Sequence, residues 1–219
     1  MVITMQTLME KCSQAFCLTK REIGEFASIK ANGMKFQIEQ YLAEGVGNLS
    51  RMQARGMFGM MKMETLIFTP LQKDAPLLSY DRMSVFGKDI LIFELYDTLA
   101  EPVQAYPLLN EVKGKYAYLP DSDPGKHWYD SIKRKESLYK KCRGKAKELD
   151  ALCLDYLDCY CKIVKGAKEA SIETKRRKTE GYVKGLIEQG GPSTDAFLKA
   201  IGKEKTEELF EKILFGIRE

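Results

Sequence analysis

From Met34 to Thr98 the hydrophobic period is two and its interruptions are short, and this constrains the fold more than any other feature of the chain. In "MKFQIEQYLA", Phe36, Ile38 and Gln40 fall on one side and Lys35, Gln37 and Glu39 on the other, as alternation along a strand requires. "GVGN" reads as a turn. "LSRMQARGMFGMMKMETLIFTP" reads as two strands split near Gly56 and Gly59. "LLSYDRMSVFG" is a fourth strand, Gly87-Lys88 a tight turn, and "DILIFELYDT" a fifth. Strands joined by so few residues pair antiparallel, because a parallel crossover needs a much longer connection. The first half is therefore predicted to be an antiparallel meander of five strands.

The flanks are helical. Thr4 to Ile29 reads as one or two helices, with Leu8, Cys12 and Ala15 on one face and Phe16 beside them, before the turn signal Asn32-Gly33. After Pro102 comes a short helical stretch interrupted by Pro107, then the loop-like "YAYLPDSDPGKHWYDSI". Two long helices follow in "CRGKAKELDALCLDYLDCYCKIVKGAK" and "SIETKRRKTEGYVKGLIEQGG". The chain closes with "STDAFLKAIG", opened by a Ser/Thr cap, and "KEKTEELFEKILFGI". Helices on both sides of a strand run in sequence predict an α+β fold. Its layout is a three-layer α/β/α sandwich with a central antiparallel sheet. No linker or repeat divides residues 1–219, so one domain is expected.

Of 219 residues, 44% are hydrophobic and 30% charged, which fits a globular protein. The apolar runs are too short to span a bilayer. The N-terminal residues lack the basic-then-apolar order of an export signal, and six cysteines without such a signal point to reduced thiols in a cytoplasm. The net charge of +4 is mild but unevenly spread. Residues 126–147 hold nine basic side chains against two acids, net +7, and a second run, "KRRK", covers Lys175 to Lys178. Such runs are either solvated helix faces or a docking face for an acidic partner. Few aromatics interleave with them and no nucleic-acid motif is present, so nucleic acid is the weakest partner class.

Two acids interrupt apolar strands. Asp81 shares a strand face with Met83 and Val85, and is either a satisfied structural acid or a group whose proton matters. Glu64 shares a face with Leu66 and Phe68. If the two strands are hairpin neighbours, Glu64 and Asp81 either approach one another, one then holding a proton near neutral pH, or lie on opposite faces. Glu94 and Asp97 lie on opposite faces of the fifth strand, so at most one joins the same cluster. Cys153, Cys159 and Cys161 look metal-like only at first sight. Residues two apart on a helix point roughly 200° apart, no Cys-x-x-Cys or nearby His completes a set, and core thiols are expected. His127, the only histidine, reads as a surface or packing residue. The methionines of "MFGMMKM" read as core or as the pliable wall of a pocket for a large flat ligand. No phosphate loop, dinucleotide fingerprint or nucleophile elbow is present.

At "FTPLQKDAPLLSYDRMSVFGKDILIFELYDT" the chain resembles the ferredoxin-dependent bilin reductases. Phe68 and Pro70 match an aromatic-Pro segment, Asp74 and Pro76 an Asp-x-Pro, and Asp81 the family's central acid. "FLKAIGKEKTEELFEKILFG" looks like its C-terminal helices. The resemblance implies an antiparallel α/β/α sandwich with its site between sheet and C-terminal helices. It implies a linear tetrapyrrole substrate, no metal or flavin, single electrons from reduced ferredoxin docked on the basic surface, and protons from Asp81 and Glu64. Arg51, Arg55 and Lys62 are the expected propionate partners, Arg82 pointing away from Asp81's face, and Met83 is expected to line the ligand floor. Glu64 stands where many members have His. Asp195 lies near the acid that many place before the final helices, a region that here reads "QGGPST". The alternative is a non-catalytic binder of a tetrapyrrole or other flat ligand on the same fold. A monomer is expected in either case.

Overall fold

The computed structural model describes residues 5–56, 60–191 and 193–218. They form an eight-stranded antiparallel sheet with helices on both faces. The strands are β1 (Leu18–Arg21), β2 (Ser28–Ala31), β3 (Met34–Ala43), β4 (Gly47–Gly56), β5 (Met61–Pro70), β6 (Leu77–Val85), β7 (Lys88–Tyr96) and β8 (Leu138–Cys142). Their order is β1-β3-β4-β5-β6-β7-β8, and β2 also pairs with β3. The helices are α1 (Met5–Ala15), α2 (Pro107–Lys115), α3 (Ala146–Gly166), α4 (Ile172–Gln189) and α5 (Thr194–Glu208). A π-helical turn, Leu209–Leu214, continues α5.

The five strands of the meander form where alternation placed them. The β4–β5 connection contains Met57, Phe58 and Gly59, so the expected split at Gly59 lies outside the described residues. The tight turn after β6 falls one residue earlier than expected, on Phe86 and Gly87, both at positive φ. Three strands were not legible. The segment after α1 is not a second helix but β1, a short 3₁₀ turn and β2, and β8 lies inside the basic run.

Each sheet face carries its own core. On one side, Leu49, Leu66, Phe68, Tyr80 and Phe93 pack against Leu8 and Cys12 of α1, Leu109 of α2, and Leu152, Tyr156 and Tyr160 of α3. On the other, Phe36, Ile38, Met52, Met63 and Tyr96 meet Tyr182 and Val183 of α4, Phe197 of α5, and Leu209, Phe210 and Ile213 of the closing turn. Cys153 and Cys161 are buried in the first core, as expected of packing thiols. The three layers are thus α1–α3, sheet, and α4–α5.

Polar side chains fix the C-terminal layer to the sheet. Asn48 donates to the Ile213 and Leu214 carbonyls, Ser50 to Leu214 and Gln40 to Lys212, which satisfies carbonyls at a helix end. The Asp74–Pro76 segment is a second knot. Asp74 accepts from the Ala100 and Glu101 amides, the Pro76 carbonyl accepts from Tyr160, and the Ala75 carbonyl accepts from Lys175 of α4.

Candidate active site

A cavity of about 290 Å³ lies between β4–β8 and the α4–α5 layer. Its floor is Met52, Met63, Thr65, Ile67, Asp81, Met83, Ile92 and Glu94, and its roof includes Tyr182, Leu186, Phe197, Phe210 and Phe215. His127 and Tyr129, from the loop before β8, close one wall. This is the concave, mostly apolar lining with a few convergent polar groups that small-molecule sites show. A larger groove of about 750 Å³ runs past Arg21, Lys212 and Arg218. Two of its cations are already held in the ion pairs Lys212–Glu208 and Arg218–Glu211.

Asp81 sits in the floor because of register. Thr65 of β5 stands opposite it on one side and Ile92 of β7 on the other. Its side chain is half-buried and borders the cavity. Its one hydrogen bond among the described residues comes from Thr65 Oγ1 at 2.5 Å. Burial pushes its pKa up to about 6; the Thr65 bond opposes the rise and the charge of Glu94 adds to it. Asp81 is therefore an acid that holds its proton in a mildly acidic medium, as a proton donor in a cavity must.

Glu94 is the second carboxylate of the cavity. It is buried, accepts from Tyr96 Oη at 2.5 Å, and also accepts from Tyr139 Oη. The Tyr182 ring lies 4.2 Å from the Tyr96 ring, and Tyr129 meets Tyr96 edge-on at 5.6 Å. Burial first, with neighbouring charges adding to it, raises the pKa of Tyr96, Tyr129, Tyr139 and Tyr182; bonds to Glu94 raise Tyr96 and Tyr139 further, whereas bonds with Tyr96 oppose the rise at Tyr129 and Tyr182. These phenols are neutral donors at any ordinary pH. The His127 ring stacks on Tyr129 with centroids 4.9 Å apart, and its buried Nδ1 has no hydrogen-bond partner among the described residues, Asp130 lying 3.9 Å away.

Of the two arrangements open to Glu64 and Asp81, the structure forms the one on opposite faces, so Glu64 does not join Asp81 as a proton source. Register sets Glu64 opposite Arg82 on the other sheet face, where it accepts from Gln53 and the Met5 amide. Arg51, Arg55 and Lys62 share that remote face, since Met52, Met63 and Thr65 point into the cavity. Arg51 is spent on Glu39, to which it donates at 2.6 Å, and Arg55 and Lys62 are exposed. Asp195 is exposed in the first turn of α5, outside the cavity, while Ser193 and Thr194 line it. Met83 does line the floor, and Met52 and Met63 join it. Arg82 points away as expected, toward Asp89 and Asp150.

Sequence reasoning left open whether Glu94 or Asp97 joined the cluster, and the structure places Glu94 there; it missed the four tyrosines and the placement of His127. Glu94 had a signal: it shares a strand face with Ile90, Ile92 and Tyr96. The tyrosines of β8 and α4 had none, because which helix face meets the sheet depends on packing.

Among the described residues, no three His, Cys, Asp or Glu side chains converge on a point that could hold a metal ion. No helix among them is long and apolar enough to cross a membrane. No protein-family model and no curated protein matches the sequence. The fold does match a solved structure, phytochromobilin synthase from tomato in complex with biliverdin, with a TM-score of 0.78. That match covers 97% of this chain and 81% of the other at 13% identity. The two proteins share the α/β/α sandwich.

Proposed function

We propose that the protein is an oxidoreductase of linear tetrapyrroles that holds a bilin between the sheet and the C-terminal helices. In this reading it takes electrons singly from reduced ferredoxin and supplies a proton from Asp81. The observation that carries the reading is Asp81 itself, a carboxyl on an apolar cavity floor with its pKa raised to about 6. The fold shared with an enzyme solved with biliverdin supports it.

The chemistry follows from the lining. Reducing one double bond of a conjugated ligand consumes two electrons and two protons. The first electron makes the ligand basic, and a neutral acid within the cavity can then protonate it. A general acid works best with its pKa near the working pH, and burial brings Asp81 toward that range. Met52, Met63 and Met83 give the floor a pliable, polarisable surface for a flat ligand. None of the described lining residues is Lys or Arg. The propionates of a bilin therefore lie at the mouth, in water, and the interior takes the uncharged part of the molecule. Electrons come from outside, so no resident metal or flavin is required. Exposed Lys126 and Lys141, near the His127 and Tyr139 walls, offer an acidic ferredoxin a docking site on a cytoplasmic monomer.

The test is spectroscopic. Biliverdin added to the pure protein should give a shifted visible band. Reduced ferredoxin supplied without air should then bleach that band or move it to the blue. A shifted band that stays unchanged under reductant would leave a binding protein on the same fold. No shift at all would remove the tetrapyrrole reading.

A further inference from the structure

We propose that Glu94, clamped between Tyr96 and Tyr139, is a positioning residue that keeps the transferable proton on Asp81. The inference rests on the reading of Asp81 as a proton donor and assigns the group that makes it one.

The geometry begins with register. Ser79 faces Glu94 and Asp81 faces Ile92 across β6 and β7. Asp81 and Glu94 are therefore diagonal neighbours on one sheet face, a spacing of about 7–8 Å between backbones that side chains readily shorten. Both line the same cavity. Two carboxylates that close in an apolar site do not both ionise without cost, so the pair carries one proton more readily than none. Which residue carries it is decided by donors. Among the described residues, Glu94 accepts from two phenols, Tyr96 and Tyr139, whereas Asp81 accepts from Thr65 alone. Hydrogen bonds to an ionised carboxylate favour the charge. The charge therefore settles on Glu94 and the proton on Asp81.

The groups that titrate around the pair are few. From β7 they are Glu94 and Tyr96, from β8 Tyr139, from the segment before β8 His127 and Tyr129, and from α4 Tyr182. The described lining from Ser193, just before α5, to Phe215, just after the closing turn, is Ser193, Thr194, Phe197, Phe210, Leu214 and Phe215, none of which titrates here. The phenols stay neutral, which leaves His127, among the described lining residues, as the side chain to test beside Glu94.

The experiment reads Asp81 directly, in ligand-free protein, so it does not depend on bilin being reduced. Aspartate labelled with carbon-13 at the carboxyl is titrated by NMR, and Asp81→Asn assigns the resonance. The intact protein should titrate near pH 6. Glu94→Gln keeps the shape and removes the charge, and should lower the midpoint by about one unit. His127→Gln should leave it in place. If Glu94→Gln proves poorly folded by its melting curve, Tyr139→Phe substitutes for it. That variant removes one donor from Glu94, lets the pair share the proton, and should lower and broaden the Asp81 transition. An unmoved midpoint in the folded variant, or an equal shift in His127→Gln, overturns the proposal. If the protein does reduce bilin, Glu94→Gln should also move the alkaline limb of the rate profile to lower pH.

Discussion

Asp81 is favoured by the fold in its protonated form, and that has a thermodynamic sign. Its pKa is raised on folding from 3.8 to about 6. Below about pH 4 folded and unfolded chains both bind the proton, and the contribution to stability is complete. As pH rises toward 6 the unfolded chain has released its proton and the folded chain has not, so the contribution is progressively lost, and above the folded pKa stability is flat again. Two units correspond to about 3 kcal/mol at most, less any relief from water in the cavity. Asp81→Asn, whose amide oxygen still accepts from Thr65, removes that penalty. Urea midpoints should show the variant more stable by about 2 kcal/mol at pH 8, with the gap closing toward pH 4. The same variant should bind biliverdin and lose turnover. A variant less stable than the parent at pH 8 would contradict the buried-acid assignment. Asp81 was legible because an acid in an apolar alternation stands out whichever neighbour it has. Glu64, Arg51, Arg55 and Lys62 were not, because their face depends on register with the next strand. Register depends in turn on turn lengths that alternation does not specify, and a slip of one residue reverses every face.

Elements were legible in proportion to their length and period. The ten-residue strands β3, β4 and β5 announce themselves, whereas β1, β2 and β8 have four or five residues and carry lysines. A short edge strand rich in charge is how a sheet avoids further pairing, and it looks like loop in sequence. Helix α4 makes a prediction at this scale. A Cβ at Gly185 would lie 2.2 Å from the Trp128 ring, and Trp128, which donates to the Gly190 carbonyl, adjoins the His127–Tyr129 wall. Gly→Ala inside a helix normally stabilises by about 1 kcal/mol. Here the forced displacement of a rigid ring costs about 1–3 kcal/mol and wins. Gly185→Ala should lower the melting temperature and weaken biliverdin binding in a fluorescence titration. A raised melting temperature would mean the wall yields freely. The same helix is pinned by Lys175, whose ammonium is fully buried, donates to the Ala75 carbonyl at 2.7 Å, and lies 3.7 Å from Asp74. Burial lowers its pKa to about 8. Lys175→Ala strips a buried carbonyl and a carboxylate of their partner and should destabilise by about 3 kcal/mol in urea unfolding.

At the scale of the molecule, strands bracketed by helices on both sides were enough to specify three layers, because each sheet face must be covered. What sequence did not specify was how the basic run divides. Arg134 is buried against Glu136 and the Val103 carbonyl, and Lys140 is buried against the Leu119 carbonyl and Asp121. These two hold the β8 region together and are not free for a partner. Lys126, Lys135, Lys141, Arg143, Lys145 and Lys147 remain exposed. Lys141 shares the strand face of Tyr139, and Lys126 adjoins His127, so both stand on the cavity side of the molecule. On the proposed reading, docking of an acidic electron carrier there would be steered by charge, and charge at an exposed surface is screened over about 10 Å at 0.1 M salt. The Michaelis constant for ferredoxin should therefore rise steeply between low and moderate salt. Lys126→Glu with Lys141→Glu should raise it at low salt by roughly tenfold, a change of about 1.4 kcal/mol, and flatten its salt dependence. Biliverdin affinity should stay as it was, because neither residue lines the cavity. By contrast, Lys140→Glu should fail in urea unfolding before it fails in docking. Equal salt dependence in the parent and the double variant would move the electron carrier to another face, and with it the route by which electrons reach the cavity.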